Sequence, residues 1–222
     1  MRSLPLPLAL TARLTPVAVL ACAGWAMSSG PAAPPADGHR PAQETSTEAA
    51  TAPSSSSKES KTYSAAPAPC TSVPVGTVKA LVPGARTAGK EIPSTDPGLR
   101  RTCSWNALDG YDYRWLDVSF ELASSDRAAT SEYQQHITEK SGGGPVPGLG
   151  DSAYSVVNLT TEDKQQTREG VVVVRVANAL VIVTYNGSDF ETKKAPDTQE
   201  INTGAIKAAR SAVAALQGSR SG

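Results

Sequence analysis

Between Ser28 and Pro69 the sequence contains no Val, Ile, Leu, Phe, Trp or Met, and Tyr63 is the one large apolar residue there. A stretch of Pro, Ala, Ser and Thr with scattered charge cannot bury enough surface to offset the entropy of ordering. It is therefore expected to be a disordered spacer. Charge of a dominant sign is missing as well: 21 Lys and Arg are balanced by 21 Asp and Glu. With no basic patch and no acidic run, nucleic acid is excluded as the expected partner. No apolar run approaches the ~20 residues that span a bilayer. The longest candidate, 14–27, is short, contains Pro16 and is bounded by Arg13. Histidine is scarce, with His39 in the spacer and His136 in a helical stretch. Neither has a second histidine, free cysteine or carboxylate cluster beside it, so no metal site and no cofactor are expected. No Ser–His–acid arrangement can be argued either, and the chain is read as non-enzymatic.

The three cysteines do not belong together. Cys22 closes "MRSLPLPLALTARLTPVAVLAC", which has a cationic start, an apolar centre and small residues at its end, the layout of an export signal over residues 1–21. Two exits fit it. "VLAC" has the form of a bacterial lipobox, in which Cys22 is acylated and becomes the new N-terminus. "ACA" also fits ordinary cleavage after Ala23. Either route leaves Cys70 and Cys103 as an even pair in an oxidising compartment, where a disulfide is the expected outcome. There is no C-x-x-C, so a redox role for that pair is disfavoured.

The spacer is assigned to residues 22–69 and a single domain to 70–218. In the domain, "VGTVKALV" (75–82) is a short helical segment stopped by Pro83 and Gly84. "RTCSWNA" and "DYRWLDVSFEL" read as a hairpin turning at Asp109-Gly110. "SSDRAATSEYQQHITEK" carries Ala129, Tyr133 and Ile137 four residues apart and reads as a helix. "SGGGPVPGLG" is a loop. It lacks a Gly-Lys-Ser/Thr and leads into a strand, so it is read as a tight connection in which Gly148 and Gly150 take unusual backbone angles and Asp151 caps the turn. "DSAYSVVNL" is a strand; "GVVVVRVA" and "ALVIVTY" form a second hairpin turning near Asn178. The unbroken valines imply a central strand buried on both faces. "NTGAIKAARSAVAALQG" closes the domain as an amphipathic helix, with Ile201, Ala205, Ala209, Val213 and Leu216 on one side and Gly218 at its end. The expected fold is α+β, a mostly antiparallel five-stranded sheet covered by helices.

Taken together, "VLAC", the Ser/Pro/Thr spacer, Cys70, "LVPG", Cys103-Ser104-Trp105, "VPGLGDSAY" (146–154) and "NALVIVTY" resemble the small secreted lipoproteins of actinobacteria that share an uncharacterised domain. The same layout is similar to the extracellular sensor domains of mycobacterial receptor kinases. The resemblance covers most of residues 70–217. It implies attachment to the outer face of the cell membrane through an N-terminal lipid, and a sensing or binding role. It supplies no catalytic residues.

One surface is singled out by the residues themselves. With Asp109-Gly110 as the turn, Leu108 pairs with Tyr111, Asn106 with Tyr113 and Ser104 with Trp115. Alternation then sets Tyr111, Tyr113 and Trp115 on one face, apart from Cys103, Trp105, Leu116, Val118 and Phe120 on the other, with Arg114 able to lie over Trp105. The aromatic stripe is a candidate ligand-binding surface for an envelope lipid or glycan, unless a helix packs on it. The chain is read as a membrane-anchored extracytoplasmic module that binds or senses a ligand. The alternatives are a partner of an envelope or secretion complex, and a secreted domain with no lipid.

Overall fold

The computed structural model describes residues 61–219. The signal segment, Cys22, His39 and the spacer up to residue 60 lie outside the described residues. In chain order the elements are α1 (Val75–Leu81), β1 (Lys90–Ile92), β2 (Arg100–Asp109), β3 (Asp112–Leu122), α2 (Asp126–Thr138), β4 (Gly144–Pro145), β5 (Ser152–Glu162), β6 (Gln165–Val176), β7 (Ala179–Asp189) and α3 (Thr198–Gly218). All strands join one antiparallel sheet in the order β1-β2-β3-β7-β6-β5-β4.

The valine run explains why two helices share this sheet. Val172 and Val174 face α3, packing with Val118, Phe120, Val181, Val183, Ile201 and Leu216. Val171 and Val173 face the other way, with Val156 and Leu180 under Tyr133 of α2. All four are buried, which makes β6 an interior strand, as its composition implies. Each such side chain contributes about 1.5–3 kcal/mol on leaving water. The inner side of α3 is largely alanine, Ala205, Ala208, Ala209 and Ala212, so its backbone lies close to β6 and β7. Tyr185 of β7 reaches through this layer and donates its hydroxyl proton to the Leu81 carbonyl at 2.7 Å, holding α1 to the sheet.

Cys70 and Cys103 are joined, with Cα atoms 5.1 Å apart. Ser125 caps α2 by accepting from the Ala128 amide. Gly148 and Gly150 adopt φ of 67° and 62°, and the Asp151 carboxylate accepts from the Ala177 amide at 2.7 Å, tying the loop to the β6–β7 turn.

Several expectations are corrected. The sheet has seven strands among the described residues, not five. The two extra ones, β1 and β4, span three and two residues at the edges, too few for any alternation to register. The first hairpin turns at Gly110-Tyr111, one residue later than expected, with Asp109 opposite Asp112. Gly110, at φ 62°, occupies the first of the two turn positions, where a primed hairpin turn wants glycine. Arg114 does not lie over Trp105. It pairs with Asp112 and with Glu200 of α3 (2.9 Å to the latter), because the β3 alternation aims it at the start of that helix. α3 begins at Thr198, earlier than its apolar periodicity, because the Asp197 carboxylate accepts from the Gln199 amide and opens the helix. Finally, the packed body includes residues assigned to the spacer. Tyr63, Ala66 and Pro69 are buried, and the Thr62 and Tyr63 amides donate to Asn178 Oδ1 at 2.9 and 2.7 Å. Low apolar content hid this, because one aromatic ring and three hydrogen bonds between the backbone and Asn178 are enough to fix the segment.

Candidate functional site

Alternation along β3 sorts its side chains. Leu116, Val118 and Phe120 are fully buried toward α3. Tyr113, Trp115 and Asp117 point the other way, opposite Leu108, Asn106 and Ser104 of β2 and Ser188, Asn186 and Thr184 of β7. α2 packs across β6 and β7 on this same side, over Leu180, Val171 and Val173. Tyr113 and Trp115 lie farther along the sheet and remain partly exposed.

The aromatic rings are fixed by one another and by a carboxylate. Trp115 donates its indole N–H to Asp117 Oδ1 at 2.6 Å. Tyr113 meets Trp115 edge to face, centroids 6.3 Å apart at 85°, and contacts Phe190 at 6.0 Å. This geometry matches the ring quadrupoles and orders the group. Burial, aided by the Asp117 carboxylate, raises the pKa of Tyr113, so its hydroxyl stays neutral and able to donate through the physiological range. Asp117 also forms part of the wall of a cavity of about 510 Å³ with Ile92, Asp96, Leu99, Arg100 and Thr102. The site is thus an aromatic row at one end and a polar hollow at the other, joined at Asp117.

Tyr111 sits differently from its expected place. It occupies the turn, is 58% exposed, and its carbonyl accepts from the Phe190 amide at 2.9 Å. Phe190, 47% exposed, is the member that sequence reading missed. β7 continues past Tyr185 to Asp189 through "NGSD", whose small polar residues conceal a strand, and this extension delivers Phe190 beside the hairpin. His136 lies in the last turn of α2. Among the described residues no group of three or more His, Cys, Asp or Glu is placed to hold a metal ion. Nor is any helix among them long and apolar enough to cross a membrane.

No family model and no curated protein matches the chain. Solved structures similar to it include a protein of Bacteroides thetaiotaomicron, 10% identical with a TM-score of 0.33, over 54% of this chain and 47% of that one. The chain thus spans about half the length of that protein. Also similar is LpqN, involved in cell envelope biogenesis of Mycobacterium tuberculosis, 14% identical with a TM-score of 0.28, over 53% of this chain and 86% of LpqN.

Proposed function

We propose that this chain is an exported lipoprotein of the actinobacterial kind, held at the outer face of the membrane through Cys22, and that its domain is a non-catalytic module binding an envelope lipid or glycan on the aromatic face of β3. The observation that carries this reading is the row Trp115–Tyr113–Phe190, ordered ring against ring yet partly exposed, on a face that α2 covers elsewhere. Indole and phenol faces stack on a sugar ring or an acyl chain, and each aromatic contact adds about 0.5–1.5 kcal/mol beyond area burial. Several together make a shape-tolerant site of modest affinity. The Cys70–Cys103 disulfide supports export, since such bonds persist in oxidising compartments.

A second reading, docking on a protein of an envelope complex, is favoured by a different observation. Leu108, Tyr111 and Phe190 are all large, apolar and about half exposed around the same hairpin end.

Trp115→Ala tests the first reading. Titration of the full chain with soluble envelope oligosaccharides and with phospholipid vesicles, followed by isothermal titration calorimetry, is expected to show at least fivefold weaker binding for the variant at nearly unchanged melting temperature. A stability loss of ~3–5 kcal/mol, the value for a core tryptophan, would make the row packing rather than a site. Unchanged titration with both probes would leave the protein-docking reading in its place.

A further inference from the structure

β1 accompanies β2 only over Thr102–Ser104, opposite Ile92–Lys90. β2 continues to Asp109, so from Trp105 onward its outer edge has no strand beside it among the described residues. The gap is a groove of about 560 Å³ lined by Arg86, Lys90, Ser104, Trp105, Asn106 and Leu108. One wall is set by Trp105, whose indole N–H donates to the Thr87 carbonyl at 3.1 Å and pins the incoming segment.

Two features of the groove point to a ligand. Arg86 and Lys90 are its charged lining residues, both exposed, and neither makes an ion pair with a described residue. Leu108, 57% exposed, offers an apolar knob at the far end. An open strand edge is a template for another strand, and proteins usually blunt such edges. Here the charged residues that line the groove are both cations, and the one acid of this edge, Asp109, stands at its far end by the hairpin turn.

We propose that this groove receives an extended acidic segment of a partner protein, which adds to β2 in the line that β1 vacates. Its backbone pairs with Trp105–Asp109 and its carboxylates meet Arg86 and Lys90, a strand-addition mode of recognition. The proposal does not rest on the aromatic-face reading.

The test is a titration of the ¹⁵N-labelled full chain with three acetylated, amidated hexapeptides. One alternates valine and glutamate, one alternates valine and lysine, and one is the acidic peptide with every backbone nitrogen methylated. The acidic peptide is expected to shift the amides of Trp105–Asp109 and to bind at least tenfold more tightly than the lysine peptide. Methylation is expected to abolish binding, and Arg86→Glu with Lys90→Glu to invert the charge preference. Equal binding of the acidic and lysine peptides, retained binding of the methylated one, or no response at the β2 edge would each overturn the proposal.

Discussion

Asn178 is fully buried in the β6–β7 turn, and each polar atom of its side chain is used. Oδ1 accepts from the Thr62 and Tyr63 amides, and Nδ2 donates to the carbonyls of Tyr63 at 2.9 Å and Ala123 at 3.1 Å. One amide thereby joins the segment before Cys70, the end of β3 and the turn itself. Asn178→Ala leaves two donors and two acceptors without their partner, and each buried orphan costs about 1–3 kcal/mol. Because water can reach the loosened segment at 61–63, a net loss of about 2–4 kcal/mol is expected in urea unfolding, with faster amide exchange at Thr62 and Tyr63. Asn178→Asp is expected to be worse at neutral pH than in acid, since an ionised carboxylate would face the two carbonyls that Nδ2 now satisfies. In the sequence Asn178 reads only as a turn residue. Its partner Tyr63 is 115 positions away, a distance over which local pattern carries no information.

At the scale of elements, two ties around the edge strand β1 and its neighbour β2 are testable. The disulfide fixes Cys103 of β2, the residue opposite Glu91, to the start of the domain, closing a separation of 33 residues. Chain-entropy arithmetic puts its stabilisation at about 3–4 kcal/mol, so reduction is expected to lower the melting temperature by many degrees. Native labelling is expected to find neither Cys70 nor Cys103 free. Glu91 also accepts from Arg101 through both carboxylate oxygens, at 2.7 and 2.9 Å. That hydrogen bonding lowers the Glu91 pKa. A depressed carboxylate contributes stability above its unfolded pKa and loses it as pH falls through the folded one. Amide protection of Lys90–Ile92 is therefore expected to hold at neutral pH and fade only below the usual carboxylate range, and Glu91→Gln is expected to remove that acid dependence. Legibility in the sequence followed element length. α2, α3 and the valine strand carry enough periodic residues to declare themselves, whereas β1 and β4 are too short to do so. The hairpin turn was displaced by one residue, which moves every cross-strand partner by two. An even shift keeps each side chain on its face, and so Tyr113 and Trp115 still stand opposite β2 positions of the expected face. Tyr111 fell into the turn, and Phe190 was invisible because the strand that delivers it ends in small polar residues.

For the whole molecule, the sheet, its two helical covers and the disulfide make a stable body, but where that body works depends on residues outside the described ones. The lipobox-like "VLAC" places Cys22 at the end of an apolar run, ahead of a Pro, Ala, Ser and Thr stretch. A single acyl chain holds a protein to a bilayer only marginally, whereas two or more hold it firmly, so an anchored chain is expected to carry at least two on Cys22. A lipid anchor and a partly exposed aromatic surface would suit each other, since tethering raises the local concentration of an envelope ligand around a weak site. Fractionation of cells producing the wild-type chain is expected to place it with the membrane, and mass spectrometry is expected to find the mature N-terminus at an acylated Cys22. Cys22→Ser is expected to move the protein to the medium with its fold intact, because the disulfide pair of the domain does not involve this residue. A wild-type protein found free in the medium with Gly24 as its first residue would replace the anchor with simple cleavage after Ala23. The aromatic face would then have to find its ligand from solution, and the fivefold effect expected of Trp115→Ala would remain the measure of that face.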